Sequence, residues 1–563
     1  LDTNGDEAPN GFASGQALVD DSGRFHSGVS LHDALIDTRV SGSLDATAGD
    51  ITLRGTSTYA GGDNASGILL FGSQLFGDQI DLSGSVTDTG GTTSRFGILA
   101  NGGASPNNTD LQAFSGISLA GTAATTADQY AIRWDADHSM SVVDGDVSVN
   151  ATGQLEYLSN QSLTLAAGHS LTLDADQSAI WQSVIAGDGG ITKQGAGTLS
   201  LRATNTFTGA LQITEGTVSQ TQAEAIHNSV AVIIDSGATW NLAGFDETVT
   251  SFAGSGNILL GAGTLTAFGD NSTGSFAGVI SGSGNLVKQG SGELVLSGVN
   301  TYTGTTTVDG SLRLRTDQLS LSSSGYVGTG SLFLEPLNTS FASALDTTGT
   351  TFGGTLAGLT IGKAGNAADI TIGSDISIEG DLRLFGGDLS LNAGINSNGN
   401  LIHLTGSGSV TQNISGSLVS DQLQLSGGGD FDLDQLTNNV ATIAANGVGD
   451  VQYVDSNIVA VGTVGGDGID ASGIVAIETL AGDLTVSQDI ATTDATALAV
   501  TLNAGRNADA GTATGGNVVL VDAPAITTGD GGRATLMTGS IDDSTGVTDI
   551  VGTGSGGFRY NSD

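Results

Sequence analysis

The 563-residue sequence predicts an all-β fold, an elongated right-handed parallel β-helix (β-solenoid) with loop excursions. Three observations lead to this prediction. Apolar and polar residues alternate over short runs such as 293–297, glycine recurs every few residues, and one long segment occurs twice. Alternation with period two buries one face of a strand, and glycine permits tight turns between strands. One such coil cannot bury its own apolar face, so we expect stacked coils.

The repeated segment returns after 95 residues, since Lys193 corresponds to Lys288 and 288 − 193 = 95. The same offset relates three further pairs, Leu199 with Leu294, Asn205 with Asn300, and Phe207 with Tyr302. Repeats of this kind are the sequence signature of a stacked architecture.

Both copies contain Val-Ile, then Gly-x-Gly, Lys-x-Gly-x-Gly, Leu-x-Leu and Asn-Thr-Tyr/Phe-Thr-Gly. In this order the motifs resemble the autotransporter-associated β-strand repeat of bacterial passenger regions. The run from Thr250 to Gly256 fits the same pattern. The resemblance implies a location outside the cell or at the bacterial cell surface, attached to the outer membrane or secreted.

The C-terminal half resembles the repeats of filamentous-haemagglutinin-type exoproteins, at Gly408–Gln412, Asn438–Ala445 and Val451–Tyr453. Secreted members carry Asn-Pro-Asn-Leu and Asn-Pro-Asn-Gly motifs, of which Pro9-Asn10-Gly11 is a partial echo. The export route therefore stays open. Because the sequence starts at Leu1, we expect a processed or excised piece of a longer protein.

Five segments follow from these patterns. Residues 1–40 are of uncertain structure, 41–153 form a β-solenoid with irregular loops, and 154–320 form a β-solenoid with the two repeats. Residues 321–375 are a transitional β-solenoid, and 376–563 resemble the haemagglutinin-type repeats. Within 41–153 four marker strands predict the stacking, namely Ile51-Thr-Leu53, Ile80-Asp-Leu82, Ile117-Ser-Leu119 and Val147-Ser-Val149. A short helix is predicted over Gln220–Asn228.

The composition excludes several partner classes. Lys and Arg number 15 against 58 Asp and Glu, which gives a net charge of −43. Such a surface repels nucleic acid and anionic membranes. The sequence has no stretch of ~18 consecutive apolar residues that could cross a bilayer. Without cysteine, stability must rest on coil stacking. We therefore predict no nucleic-acid partner and no membrane insertion by this segment.

One cluster has the residue types of a binding site. Asp135 and Asp137 are two residues apart, hence on one strand face, and Trp134 and His138 adjoin them. This pattern fits a sugar or metal site, but it also fits a solvated turn. Two further carboxylate pairs have the same spacing, Asp174/Asp176 and Asp432/Asp434.

Calcium is the one candidate cofactor. Asp2, Asn4 and Asp6 place oxygen ligands at alternate positions, as calcium loops do, although the distal Glu is missing and a terminal turn fits equally. The run Gly465–Asp470 partly matches a calcium-binding nonapeptide that binds only in tandem arrays. We predict no catalytic residue and no tightly held cofactor.

Three functions compete. The first, implied by the resemblance, is an adhesin or adhesin stalk that mediates cell–cell or cell–surface attachment as a rigid rod and lacks enzyme activity. Its partner would be another cell surface, a glycan or protein receptor, or copies of itself. The second is a subunit of a self-assembling extracellular filament or sheath. The third is a polysaccharide-acting β-helix enzyme.

Overall fold

The structure is a computed structural model that describes residues 18–19, 25–39, 44–46, 48–57, 64–87, 94–101, 108–124, 129–135, 137–507, 515–540, 542–547 and 550. The predicted calcium residues Asp2, Asn4 and Asp6 lie outside this part. The chain divides into two compact units. Unit 1 comprises 1–270 and 274–285, and unit 2 comprises 271–273 and 286–563. Among the described residues, no helix has both the length and the apolar character that membrane crossing requires.

Unit 1 consists of short strands that pair in three ladders. Ladder A contains Leu18–Val19, Phe25–His32, Asn64–Phe71, Arg95–Asn101, Gln129–Trp134, Gln154–Tyr157, Ala179–Trp181, Thr198–Leu201, Thr217–Gln220, Thr239–Asn241, Asn257–Gly261 and Ile280–Gly282. Ladder B contains Leu35–Asp37, Ile51–Ser57, Gln74–Val86, Asp110–Thr122, Ser139–Val142, Asp146–Ala151, Ser170–Ala175, Gly190–Gln194, Leu211–Ile213, Ala231–Ile234, Ser251–Gly254 and Gly274–Phe276. Ladder C contains Leu163–Leu165, Ile185–Gly187 and Thr206–Phe207, and Glu247–Thr248 pairs separately with Leu265–Ala267.

Unit 2 also has three ladders. Ladder D contains Glu293–Leu296, Ser311–Arg315, Ser331–Glu335, Gly358–Ile361, Asp381–Gly386, Leu401–Gly406, Leu418–Ser426, Asn439–Val448, Ile469–Ala471, Ile490–Thr492 and Ile526–Thr527. Ladder E contains Leu286–Lys288, Thr306–Val308, Tyr326–Val327, Ile376–Ser377, Ile395–Asn396, the first halves of Leu418–Ser426 and Asn439–Val448, Val459–Val461, Leu484–Val486 and Val518–Leu520. Ladder F contains Leu345–Asp346, Ile370–Ile372, Leu389–Leu391, Val410–Gln412, Phe431–Leu433, Val451–Asp455, Val475–Thr479, Val500–Asn503 and Ala534–Met537.

The strand register confirms the parallel β-helix. Ile51 pairs with Ile80, Ile80 with Ile117, and Ile117 with Val147, so the four predicted marker strands stack on one another. These pairings are parallel, and the marker side chains are buried. Among the strands with described pairings, Leu18–Val19 is the antiparallel exception. The alternating pattern therefore sends every second side chain into the coil interior.

Aromatic side chains also stack from coil to coil inside unit 1. Trp134, Tyr157 and Trp181 occupy equivalent positions of three successive strands of ladder A. Their ring centroids are 5.9 Å and 4.1 Å apart, and all three side chains are buried. Parallel stacking at ~4.8 Å brings identical positions into ring contact, which stabilises the interior through burial and ring packing.

Two glycines of the repeat are required by the close approach of neighbouring coils. Gly187 and Gly282, which are equivalent in the repeat, have φ of 94° and 121°. A Cβ at Gly187 would lie 2.1 Å from the carbonyl oxygen of Leu165 in the preceding coil. A side chain at this position would clash with the backbone and would disfavour the left-handed conformation.

The predicted helix over Gln220–Asn228 is wrong. Gln220 ends a strand of ladder A, and residues 221–229 form turns. The buried carboxylate of Glu247 accepts hydrogen bonds from the backbone N–H groups of Ala225 and Ile226, at 3.0 and 3.1 Å. These contacts fix a turn, and the positive φ of Glu224, 51°, is incompatible with a helix.

The inward and outward positions of one strand provide a test of the fold. Leu294 is fully buried and pairs with Leu312, whereas Val295 on the same strand is half-buried. We expect Leu294→Ala to lower the free energy of unfolding by about 2–5 kcal/mol through lost burial and a cavity. Val295→Ala is the matched control and should have less than half that effect. Equal losses in urea-induced unfolding of the two variants would contradict the assigned register.

Candidate functional site

The four residues predicted as a binding cluster do not share one surface. Trp134 is 0% exposed and His138 is buried, with His138 Nδ1 accepting a hydrogen bond of 2.9 Å from the backbone N–H of Thr109. Burial lowers the pKa of His138 below its usual value. Asp135 accepts a hydrogen bond from Arg133, and Asp137 is exposed. The two rings therefore face the interior, and the two carboxylates lie at or near the surface.

The other two predicted carboxylate pairs, Asp174/Asp176 and Asp432/Asp434, lie in different units. Asp174 accepts a hydrogen bond from Asn150 Nδ2 at 3.1 Å. Partial burial and the neighbouring Asp434 raise the pKa of Asp432. Across the described ranges, no three His, Cys, Asp or Glu side chains form a group that could hold a metal ion.

The lysine of the repeat is a structural residue in both copies. Lys193 is buried, and its Nζ donates to the carbonyl oxygens of Gln194 and Gly195, the latter at 2.6 Å. Lys288 donates in the same way to Gln289 and to Gly290, the latter at 3.0 Å. Burial lowers the pKa of Lys193 to about 8, while nearby carboxylates, with Asp174 first, act in the opposite direction. Each lysine holds a glycine turn closed from inside the coil.

A cluster that the sequence analysis missed lies on the outer face of ladder D. The register places Arg313, Phe333, Thr360, Arg383 and His403 in one row across five successive strands. Two residues earlier on the same strands, a second row places Gly358 between Ser331 and Asp381. Small residues between larger neighbours leave an open groove of about 530 Å³. We call it the ladder D groove. It is lined by Ser331, Phe333, Thr355, Ala357, Gly358, Leu359, Thr360, Glu379, Gly380, Asp381, Arg383 and Asn400.

Charges around the ladder D groove are arranged in pairs. The guanidinium of Arg313 lies 4.4 Å from the ring centroid of Phe333 and forms an ion pair with Glu293 at 3.1 Å. Arg313 also pairs with Glu335. Arg383 forms an ion pair of 2.9 Å with Asp381. The groove therefore combines an aromatic side chain, a cation, carboxylates, hydroxyls and an amide within hydrogen-bonding reach of a small polar ligand.

His403 follows Arg383 in the row and is held in one orientation. Its Nε2 lies 2.9 Å from Ser426 Oγ, and its ring packs edge-on against Phe385 at 5.6 Å. Its Nδ1 is buried without a hydrogen-bond partner. Burial, together with the positive charge of Arg383, lowers the pKa of His403 to about 4. The imidazole is therefore neutral at physiological pH.

One part of this cluster had a signal in the sequence. The runs Leu312-Arg-Leu314 and Leu382-Arg-Leu384 place an arginine on the outer face of a strand in a chain with only 15 basic residues. However, Phe333 and Thr360 enter the same row only through the strand register, because loops of unequal length separate them in the sequence. The row could not be found without those pairings.

The role of the repeat lysine can be tested by removing its amine. Lys193→Met keeps much of the buried stem but leaves the turn carbonyls of residues 194 and 195 without their donor. We expect the free energy of unfolding to fall by about 1–3 kcal/mol, the usual effect of unsatisfied buried polar groups. Lys363→Met, which removes a half-buried lysine amine that also bonds carbonyls, is the charge-matched control. If thermal unfolding shows that Lys193→Met loses no more stability than the control, Lys193 does not stabilise the turn.

The low pKa of His403 predicts a pH dependence of stability. The imidazole pKa in the folded chain, about 4, lies below its ordinary value of 6.5. Between these two values the unfolded chain binds the proton more readily, so the stabilising contribution present above pH 6.5 is lost as the pH falls towards 4. We expect the unfolding midpoint of His403→Gln to decrease less than that of the unmodified chain between pH 7 and pH 4.5. Parallel pH curves would contradict this assignment.

Comparison with known proteins supports the repeats on independent grounds. The Passenger-associated-transport-repeat family matches residues 191–219 and 286–310. These segments include Lys193 and Lys288. A search of solved structures returned no match.

One relative is similar over part of the chain. The adhesin BmaC autotransporter of Brucella suis biovar 1 (strain 1330) is 37% identical over 144 residues, which is 24% of this chain and 4% of that protein. The matched region is thus a small part of a much longer relative. Together with the repeats, this similarity supports an autotransporter passenger region at the bacterial cell surface or outside the cell.

Proposed function

We propose that the chain is an adhesive segment of the passenger and that the ladder D groove binds carbohydrate on another surface. The observation that carries this proposal is the groove itself, where Phe333, Arg383 and Asp381 meet on an outward face. Support also comes from the relative, whose name describes it as an adhesin. The attachment would be cell–cell or cell–surface, and it would involve binding without catalysis.

The chemistry of the groove suits a neutral polyhydroxylated ligand. A sugar ring has hydroxyl groups that both donate and accept, and a face of C–H groups that is apolar. Arg383 and Asn400 supply donors, Asp381 and Glu379 supply acceptors, and Phe333 supplies an apolar surface. An anionic sugar would meet the surrounding acidic surface and would be disfavoured.

The open shape of the groove suits weak and repeated contacts. It is a surface groove on a strand ladder, so a ligand would keep much of its contact with water. A single contact of this kind is expected to be weak, and attachment would depend on many passengers on one cell. Within each unit the stacked parallel strands would give the groove a stiff support, as a stalk requires.

Binding can be tested on a panel of immobilised neutral and acidic glycans. We expect the unmodified chain, displayed in many copies on beads, to bind one or more neutral glycans. Phe333→Ala should lower the signal at least fivefold, and Thr360→Arg should abolish it by filling the groove. Arg506→Gln is the control, because it removes an arginine from a surface ion pair outside the groove.

Two results would overturn the proposal. The first is binding to glycans that Phe333→Ala and Thr360→Arg leave unchanged. The second is that the beads bind no glycan of the panel but adhere to cells, and that the same two variants leave this adhesion unchanged. Circular dichroism of both variants should retain the β spectrum, because the substituted side chains lie on the outer face.

A further inference from the structure

Three large aliphatic side chains are exposed at one corner of successive coils in unit 2. Ile414 is 89% exposed, Leu436 is 54% exposed and Ile458 is 61% exposed. Each lies in the turn that leads from a strand of ladder F to the next strand of ladder E. Leu480, in the next such turn, is half-buried. The sequence spacing is constant, since 436 − 414 = 22 and 458 − 436 = 22. We call the three exposed residues the F–E ridge.

The turns that hold the ridge are fixed from the inside. The buried Asn438 accepts the backbone N–H of Leu418 at 2.9 Å and donates to the carbonyl oxygen of Val454 at 3.1 Å, so it links three coils. The buried carboxylate of Asp455 accepts the N–H groups of Val440 and Asn457, at 2.8 and 2.9 Å. The usual arrangement is therefore inverted at this corner, with polar groups inside and aliphatic groups in water.

Packing within the chain does not explain this exposure. A buried Ile or Leu stabilises a fold by about 1.5–3 kcal/mol, and an exposed one contributes little of this. Exposed aliphatic groups that recur at one corner of successive coils are typical of a contact with another molecule. Ile458 reaches the next coil, where a Cβ added to Gly482 would lie 2.4 Å from its Cγ2.

The charge around the ridge indicates what kind of molecule would fit. From residue 384 to residue 505 the sequence contains no Lys or Arg, although it contains many Asp and one Glu. Asp421, Asp430, Asp432 and Asp434 are exposed in the same coils as the ridge. A second copy of this chain would bring a second acidic surface against the first and would be repelled. An anionic membrane would be repelled for the same reason.

We propose that the F–E ridge docks a cationic polypeptide segment that carries aliphatic or aromatic side chains. The apolar side chains of the segment would cover Ile414, Leu436 and Ile458, and its Lys or Arg residues would face the surrounding carboxylates. Apolar burial would supply affinity, and charge complementarity would supply selectivity and a faster association. This surface is distinct from the ladder D groove. The ridge would bind a polypeptide, whereas the groove is proposed to bind a glycan.

The test uses the full chain and two fluorescent nonapeptides. The first alternates Lys with Leu, and the second alternates Lys with Ser, so both carry the same charge. We expect the Lys-Leu peptide to bind at least tenfold more tightly than the Lys-Ser peptide, and its affinity to fall with added salt. The triple variant Ile414→Ser, Leu436→Ser, Ile458→Ser should bind both peptides equally. Leu337→Ser, which changes a leucine 50% exposed elsewhere in unit 2, is the matched control.

Other results would overturn the proposal. A triple variant that retains the full preference for the Lys-Leu peptide would show that the ridge is not the docking surface. Sedimentation that reveals self-association of the unmodified chain, lost in the triple variant, would make a second copy the occupant. Binding to zwitterionic vesicles that depends on the ridge would make a lipid surface the occupant. Glycan binding by the triple variant should be unchanged, which separates this proposal from that for the ladder D groove.

Discussion

The structure depends on one constraint, the in-register parallel pairing of each strand with its counterpart one coil away. Backbone hydrogen bonds run between coils, so the coil interior can be filled with side chains at ~4.8 Å intervals. The pairing repeats Ile on Ile and Leu on Leu, as in the row of Ile51, Ile80 and Ile117. The same register forces the outward side chains into rows. A ligand-binding surface formed by these outward rows is therefore a property of several coils and not of one strand.

Corners are the second requirement, because there the backbone leaves the ladders and its polar groups need partners inside the coil. Buried side chains supply them. Asn205 accepts the N–H of Ile185 at 2.9 Å and donates to the carbonyl oxygen of Ala225 at 2.8 Å. Asn438 does the same in unit 2, and Lys193 and Lys288 bond turn carbonyls. The Lys and Asn of the repeat motif are thus explained by hydrogen bonding at corners, which every coil of this kind must satisfy.

The fold could be predicted from the sequence because burial alternates with period two and the repeat gives the stacking. The marker strands at residues 51, 80, 117 and 147 were predicted correctly although the loops between them differ in length. The candidate site could not be predicted in the same way. Trp134 and His138 stand beside two carboxylates in the sequence, but the strand ends between them and both rings are buried. Phe333 and Thr360 are neighbours only because their strands pair. The number of residues between Phe333 and Thr360 does not predict this pairing.

The scarcity of basic residues makes the position of each one informative. Arg313 pairs with carboxylates of neighbouring strands, and Arg383 pairs with a carboxylate of its own strand. The charges at the ladder D groove are therefore balanced locally, although the chain as a whole is strongly acidic. The coils that carry the F–E ridge contain no Lys or Arg, so the negative charge of their carboxylates must be balanced by solvent ions or by a cationic partner. In each coil the F–E corner and the outer face of ladder D are separated by a strand of ladder E. The two surfaces do not overlap, so a glycan and a basic polypeptide could be bound at the same time.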